Sequence, residues 1–298
     1  MRSRTRKLAL SEGMTAGAFF GTAAILIRFL PDTDAFSIAF WRLAVACAGL
    51  TAILILLKRR FRFDLVKEHL KELLTLGLFL GLHFIFFVSA VKDTTILNAT
   101  VLVNTTPIFT MLVSTLAFKL KPSRWAILGI AISFIGVCSI AYAETNNGNA
   151  ATFSPSLKGD VEALLAALVE AVYLNIGRRV RSQIDILSTM LPIYFFSAIV
   201  IGVLSIPATG GTITLPTSVQ VILPLVGLGL LPTAISHTLY FSSLSNLRSY
   251  ETATMALIEP LGATLLGIAV FQEIPPVVFA LGAGLILVGI FFTIENKS

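Results

Sequence analysis

The feature that most constrains this chain is an internal repeat: the second half repeats the first at an offset of 153 residues, and both halves are built from long apolar stretches. Pro107 falls on Pro260, Leu112 on Leu265, Phe118 on Phe271, Pro122 on Pro275, Leu128 on Leu281, Gly129 on Gly282 and Gly136 on Gly289, with no gap. A helix needs about 20 apolar residues to cross the hydrocarbon core, and ten segments qualify, at 9–29, 36–57, 70–91, 97–118, 125–143, 160–177, 186–206, 217–241, 252–271 and 276–294. Five spans per half is an odd number, so the second copy enters the membrane from the opposite face. The predicted fold is an all-α polytopic membrane protein of ten transmembrane helices arranged as two inverted five-helix repeats. Residues 1–143 form the first repeat, 144–159 an external linker rich in Asn, Ser, Gly and Pro, and 160–298 the second repeat.

Hydrophobic residues make up 56% of the chain and charged residues 13%, far from the balance of a soluble domain. The net charge of +6 is distributed as in a membrane protein. With a cytoplasmic N-terminus, the inner segments hold Arg2, Arg4, Arg6 and Lys7, then Lys58, Arg59, Arg60, Arg62, Lys67 and Lys71, then Lys119, Lys121 and Arg124, then Arg178, Arg179 and Arg181, and finally Arg248 and Lys297. Arg28, Lys92 and Lys158 lie near outer ends, and Arg42 lies within a span. This asymmetry puts both termini in the cytoplasm of a plasma or inner membrane. The basic charge orients the protein in its lipid bilayer, so nucleic acid is not an expected partner. The loop from Lys58 to Leu70 alternates basic and apolar residues, as a short amphipathic surface helix does. Cys47 and Cys138 fall inside spans as small apolar core residues, and no metal site or cofactor is expected. No GxxxxGK[ST] sequence is present to bind ATP, and neither HExxH nor another catalytic motif stands out, so the chain reads as driven by gradients and not as an enzyme.

An ionisable side chain inside a span costs about 2.5 to 3.5 kcal/mol on insertion scales, and therefore faces a cavity or a partner. Glu170 lies near the middle of span 6 with Tyr173 one turn later on the same face. A carboxylate there can meet a substrate ammonium or bind a proton, which makes protons the candidate coupling ion. Glu259 directly precedes Pro260 in span 9; the proline has no amide to donate, so a kink is predicted. Pro107 repeats the pattern in span 4 after Asn104, Thr105 and Thr106. Interrupted helices in corresponding positions of two halves point to a midplane binding site with the two prolines as hinges. Glu259 then contacts substrate, braces the kink or pairs with Arg42. His83 and His237, in spans 3 and 8, read as hydrogen-bonded cavity residues, with a proton relay as the alternative. Tyr240, Ser236, Asn98 and Asn175 can supply neutral hydrogen bonds. Arg42 and Trp41 are assigned structural or orienting roles, Trp41 as an interfacial anchor or a cavity wall. Phe84, Phe86 and Phe87 read as lipid-facing or packing surface. Gly13, Gly17 and Gly21, with Gly77 and Gly81, mark close helix contacts, and the nearly apolar spans 5 and 10 are expected at the periphery.

Two five-span repeats, each with a proline inside its fourth span and a glycine-bearing fifth span, resemble the EamA branch of the drug/metabolite transporter superfamily. Ile258-Glu259-Pro260-Leu261 through Phe271-Gln272-Glu273 is similar to the family's "EP … GE" pattern, and Trp41-Arg42 to its aromatic-Arg pair. Gln272-Glu273 stands where the family has Gly-Glu, and Lys119-Leu120 occupies the matching place in the first repeat. The resemblance implies a central cavity lined mainly by the first four helices of each repeat. It also implies export of amino acids, related metabolites or other small polar solutes. The expected function is a secondary transporter exporting a small polar metabolite, such as an amino acid or derivative, by alternating access, a mode compatible with a homo-oligomer. A broad drug or cation efflux carrier is the alternative within transport. A membrane sensor or an intramembrane enzyme is the alternative outside it.

Overall fold

The computed structural model describes residues 5–146, 156–266 and 277–295, which are helical apart from short connections, with no strand among them. The helices are α1 (Arg6–Phe20), α2 (Thr22–Arg28), α3 (Ala35–Leu56), α4 (Phe63–Glu68), α5 (Leu70–Asp93), α6 (Ile96–Val103), α7 (Thr106–Leu116), α8 (Arg124–Asn146), α9 (Leu157–Arg181), α10 (Ile186–Thr209) and α11 (Val219–Leu228). A π-helical stretch Gly229–His237 leads into α12 (Thr238–Ser243), and α13 (Ser249–Met255) passes through a 3-10 turn, Ala256–Ile258, into α14 (Glu259–Leu266). The last is α15 (Val277–Glu295). Phe271, Gln272, Glu273 and Pro275 of the repeat and motif readings, most of the expected linker, and Lys297 lie outside the described residues.

Among the described residues, seven stretches are long and apolar enough to cross a membrane: Arg6–Arg28, Ala35–Leu56, Leu70–Asp93, Asn98–Leu116, Ile186–Thr209, Val219–Ser243 and Val277–Ile294. The protein is thus all-helical and polytopic in character. Three of the ten expected spans fall short of that measure for separate reasons. Helix α8 runs to Asn146, but its fully described part ends at Ile140. The helix α9 carries Lys158, Asp160, Glu162 and Glu170 as well as three terminal arginines. The ninth expected span, 252–271, begins in α13, crosses the 3-10 turn and α14, and ends in residues outside the described set.

Caps set where the helices begin. Thr5 accepts from the Leu8 amide and Ser156 from Gly159, opening α1 and α9; Asp34 accepts from Ser37 and Asp185 from Ser188, opening α3 and α10. Each satisfies one amide that the first turn leaves free. The packing is reciprocal between the halves. Helix α9 lies against α5, α6 and α7, whereas α1 lies against the π-helical stretch, α12, α13 and α14. Helices α3 and α10 pack on each other, and α8 packs on α15.

Glycines allow the closest approaches. A Cβ on Gly17 would strike the carbonyl of Met255, and one on Gly262 the carbonyl of Ala18, so α1 lies directly on the 3-10 turn and α14. Gly77 and Gly81 admit Phe196 and Ser197 of α10 in the same way, and the Ser197 hydroxyl donates to the Gly77 carbonyl at 2.9 Å. Gly129 faces Gly289 and Gly136 faces Gly282, an order that makes α8 and α15 antiparallel. Their outer faces, including Trp125, Ile127, Leu281 and Phe291, are exposed. Cys138 is exposed on α8, correcting its assignment to the core. The loop Lys58–Leu70 does contain a short helix, α4, with Phe63 exposed and Arg62 paired to Asp64 at 2.8 Å.

The glycine seam makes a quantitative expectation. Gly289→Leu places a side chain into the Gly129 carbonyl and Ser133, and should cost about 1–3 kcal/mol, seen as a lower unfolding midpoint of the purified protein in detergent. Gly284→Leu, at a site of the same helix with open space around it, should leave the midpoint nearly unchanged.

Candidate functional site

Two helix interruptions create the site. Helix α6 stops at Val103, and the chain restarts as α7 with Pro107 in its first turn, where a missing amide goes unnoticed. The hydroxyl of Thr105 donates to the Leu102 carbonyl at 2.6 Å and that of Thr106 to Val103 at 2.7 Å, covering acceptors near the break. The second interruption is the 3-10 turn Ala256–Ile258, after which Glu259-Pro260 begins α14. On the offset of 153 residues, the two breaks occupy matching positions in the halves.

Both breaks border one cavity of about 40 Å³. A single water needs roughly 10–15 Å³ by this measure, so the space suits about three waters. Its polar wall is made by Arg42, His83, Asn104, Glu170, His237 and Glu259, and its apolar wall chiefly by Phe20, Phe84 and Phe87. All six polar residues are buried. Pro107 and Thr106 border the same space.

Arg42 is held from two directions. Its guanidinium carbon lies 4.0 Å from the centre of the Phe84 ring, a cation–π contact. Its Nε donates to the Thr233 hydroxyl at 2.9 Å. That hydroxyl is placed by the π-helical stretch. Pro232 has no amide for the Leu228 carbonyl one turn back, and the Thr233 hydroxyl takes this acceptor at 2.6 Å instead. The Thr233 carbonyl in turn accepts from the Tyr194 hydroxyl at 2.8 Å. Gly229, at the start of the stretch, lets the backbone press against Val45 and the Arg42 carbonyl. The Arg42 NH1 has no hydrogen-bond partner among the described residues, and neither do Asn104 Nδ2 and His237 Nδ1.

The histidines and carboxylates sit across from this anchor. His83 Nδ1 lies 3.1 Å from the Ala166 carbonyl and 3.5 Å from Glu170 Oε2. A carbonyl only accepts, so Nδ1 of His83 carries the hydrogen and Nε2 is the nitrogen whose protonation can change. The rings of His83 and His237 are 5.9 Å apart, and that of His237 meets Phe84 edge-on at 4.9 Å and Phe20 at 4.8 Å. This arrangement can hold charges of both signs in a space screened from bulk water, which strengthens every interaction within it.

Of the residues singled out in the sequence, the structure brings together His83, Asn104, Pro107, Glu170, His237, Glu259 and Arg42. It places four elsewhere. Tyr173 is buried beside the cavity wall, its hydroxyl 3.8 Å from the Met190 sulfur and its ring 5.4 Å from Phe241. Tyr240 packs edge-on to Phe20 at 5.2 Å, with its hydroxyl buried and unpartnered among the described residues. Trp41 turns outward and donates from Nε1 to the Thr214 carbonyl at 2.8 Å. Pro260 starts α14 without lining the cavity. Ser236, Asn98 and Asn175 are spent on structure: Ser236 on the Ala16 carbonyl, Asn98 on Asp160, and Asn175 on Ser114, Ser249 and Thr110. Arg42 forms no ion pair with Glu259; its contacts are with Thr233 and Phe84. Phe84 and Phe87, read as lipid-facing or packing residues, line the cavity instead; for Phe87, four residues after His83 and so on the same helical face, that spacing was the available signal. Thr233 was missed, although a proline directly before a threonine within a span marks a carbonyl that needs a donor.

Polar ties fasten both ends of the bundle. At the end where α1 begins, Arg6 donates to Glu251 and to the Ile294 carbonyl, each at 2.6 Å. At the other end Asp160 accepts from Thr94 at 2.9 Å and from Asn98 at 3.1 Å, and Arg28 donates to the Thr94 carbonyl at 2.8 Å. Lys158 donates to Asp93 at 2.8 Å, which pushes the pKa of its ammonium up.

Comparison with known proteins accords with this architecture. A protein of Bacillus subtilis (strain 168) named as the uncharacterized transporter YdfC is 27% identical over 301 residues, spanning 98% of this chain and 92% of that protein. An uncharacterized transporter of Archaeoglobus fulgidus is 27% identical over 303 residues, spanning 100% of this chain and 99% of that protein. A solved crystal structure superposes with a TM-score of 0.75 over 98% of each chain at 17% identity, a likeness of fold. The profile of the EamA-like transporter family matches residues 8–142 and 157–294. With nearly the whole length covered by that match, the chain belongs to the EamA-like transporter family.

Proposed function

We propose that this membrane transporter is a secondary carrier that moves a small polar metabolite, such as an amino acid or derivative, out of the cell by alternating access. The observation that carries the proposal is the meeting of two interrupted helices at one buried cavity lined by Arg42, His83, Glu170, His237 and Glu259. Charged side chains so deep in an apolar bundle cost stability, and a polar cargo gives them a use. The proposed architecture is ten transmembrane helices in two inverted five-helix repeats, divided at residues 144–159, in a plasma or inner membrane with both termini cytoplasmic. Its supports are the offset of 153 residues, the matched breaks, and reciprocal packing of α1 and α9 on the third and fourth helical stretches of the opposite half. In this reading the breaks at Pro107 and Pro260 are the hinges, and the ties Arg6–Glu251 and Asp160–Thr94 open in alternation. Protons are the proposed coupling ion, exchanged at Glu170 beside His83.

Proteoliposomes preloaded with a mixture of amino acids and related metabolites should release one class selectively, faster under an imposed pH gradient. Folded protein that releases nothing beyond protein-free vesicles would overturn the carrier reading. Glu170→Gln cannot lose a proton and should abolish the response to the gradient, with release reduced at least about tenfold, the equivalent of about 1.4 kcal/mol. Unchanged release and unchanged pH response would remove Glu170 from the mechanism. For orientation, reporters fused after Ser298 and inserted near Asn149 should report opposite sides of the membrane; the same side for both would exclude five spans in the second half.

A further inference from the structure

The cavity contains more hydrogen-bond donors than its own residues use, and this asymmetry identifies a chemical group of the cargo. Arg42 is 1% exposed, yet no carboxylate pairs with it among the described residues, although Glu170 and Glu259 border the same space. A guanidinium buried only for stability is expected to have its charge matched and its N–H groups occupied. Here Nε is fixed on Thr233 and one face on Phe84, while NH1 has no partner among the described residues. Asn104 shows the same pattern. The hydroxyls of its neighbours Thr105 and Thr106 are turned onto backbone carbonyls, while its own Nδ2 is buried with no acceptor among the described residues. Both side chains line a cavity of about 40 Å³, small enough for one ligand group to touch both.

We propose that Arg42 NH1 and Asn104 Nδ2 form a subsite for a carboxylate, so that the carrier selects solutes bearing a carboxylate group over simple amines and organic cations. This rests on the transport reading above and makes Arg42 a binding residue in place of an orienting one. A carboxylate is acceptor-only and planar, and takes in-plane N–H donors from a guanidinium edge. A phosphate dianion fits less well, because one guanidinium would have to offset it beside Glu170 and Glu259. An amine without an acid group would leave both donors unsatisfied and set its own charge against Arg42, a mismatch that discriminates strongly in a buried polar site.

The test uses the full chain in proteoliposomes loaded with matched sets: amino acids and short carboxylic acids, their primary amides, and the amines of the same carbon skeletons. The wild type should release acids at least about tenfold faster than their amides. Arg42→Lys keeps the charge and should retain the preference at a lower rate, whereas Arg42→Gln and Asn104→Leu should shrink it. Equal release of acids and amides by the wild type, or release of amines alone, would overturn the subsite and leave the carrier standing. Wild-type preference undiminished in both Arg42→Gln and Asn104→Leu would do the same. Should Arg42→Gln fail to fold, Asn104→Leu and the wild-type comparison decide the matter. No release of any member by folded protein would overturn the carrier reading and the subsite together.

Discussion

A helix that stops in an apolar interior must hand its amides and carbonyls to partners within the protein, and this requirement organises the present structure. Each departure from α geometry near the cavity coincides with a residue able to meet it. Thr105 and Thr106 cover carbonyls at the first break, and Thr233 covers the Leu228 carbonyl that Pro232 cannot serve. The glycines of α1 then let its backbone close directly over the second break at Met255 and Glu259. Removing these partners would leave unpaired backbone groups in the interior, so the breaks and their covers form one unit.

The same economy explains why the charged groups tolerate their surroundings. Arg42 lies on Phe84 and against a hydroxyl already engaged by the backbone, so its orientation is fixed without neutralising its charge. His83 is fixed by the Ala166 carbonyl on α9, the helix that also carries Glu170. The proton-accepting nitrogen of the histidine and the nearby carboxylate are therefore carried by two helices that pack closely on each other. A change in either helix position alters their separation directly.

Much of this was legible in the sequence, and the reasons differ by residue. Pro107 and Pro260 announced the breaks because a missing amide is a local property. Glu170, Glu259, His83 and His237 announced the cavity because an ionisable residue in an apolar run demands a partner. Phe84 and Phe87 were harder, since an aromatic side chain suits lipid, core and cavity equally and only the neighbouring helices decide. Tyr173 shares a helix with Glu170 but turns to Met190 and Phe241, because one turn of spacing fixes a common side without fixing depth. The hold of Thr233 on Arg42 depends on a pairing 191 residues away, which no local pattern encodes. Among the described residues seven stretches meet a strict measure of length and apolarity, and the most charged of the expected spans, α9, is the one that brings Glu170 to the cavity. Hydropathy therefore ranks lowest a helix on which the site depends.

The modest size of the cavity has an energetic consequence. A space suited to about three waters is smaller than a metabolite, so a ligand gains its contacts only while prising neighbouring helices apart. Part of its interaction energy is consumed in that widening, and the measured affinity falls short of what the contacts alone would give. On the proposed carrier reading, cargo is held weakly by construction, and weak holding favours rapid discharge on the far side. A molecule that filled the widened space without permitting it to close again would bind more tightly than any transported solute.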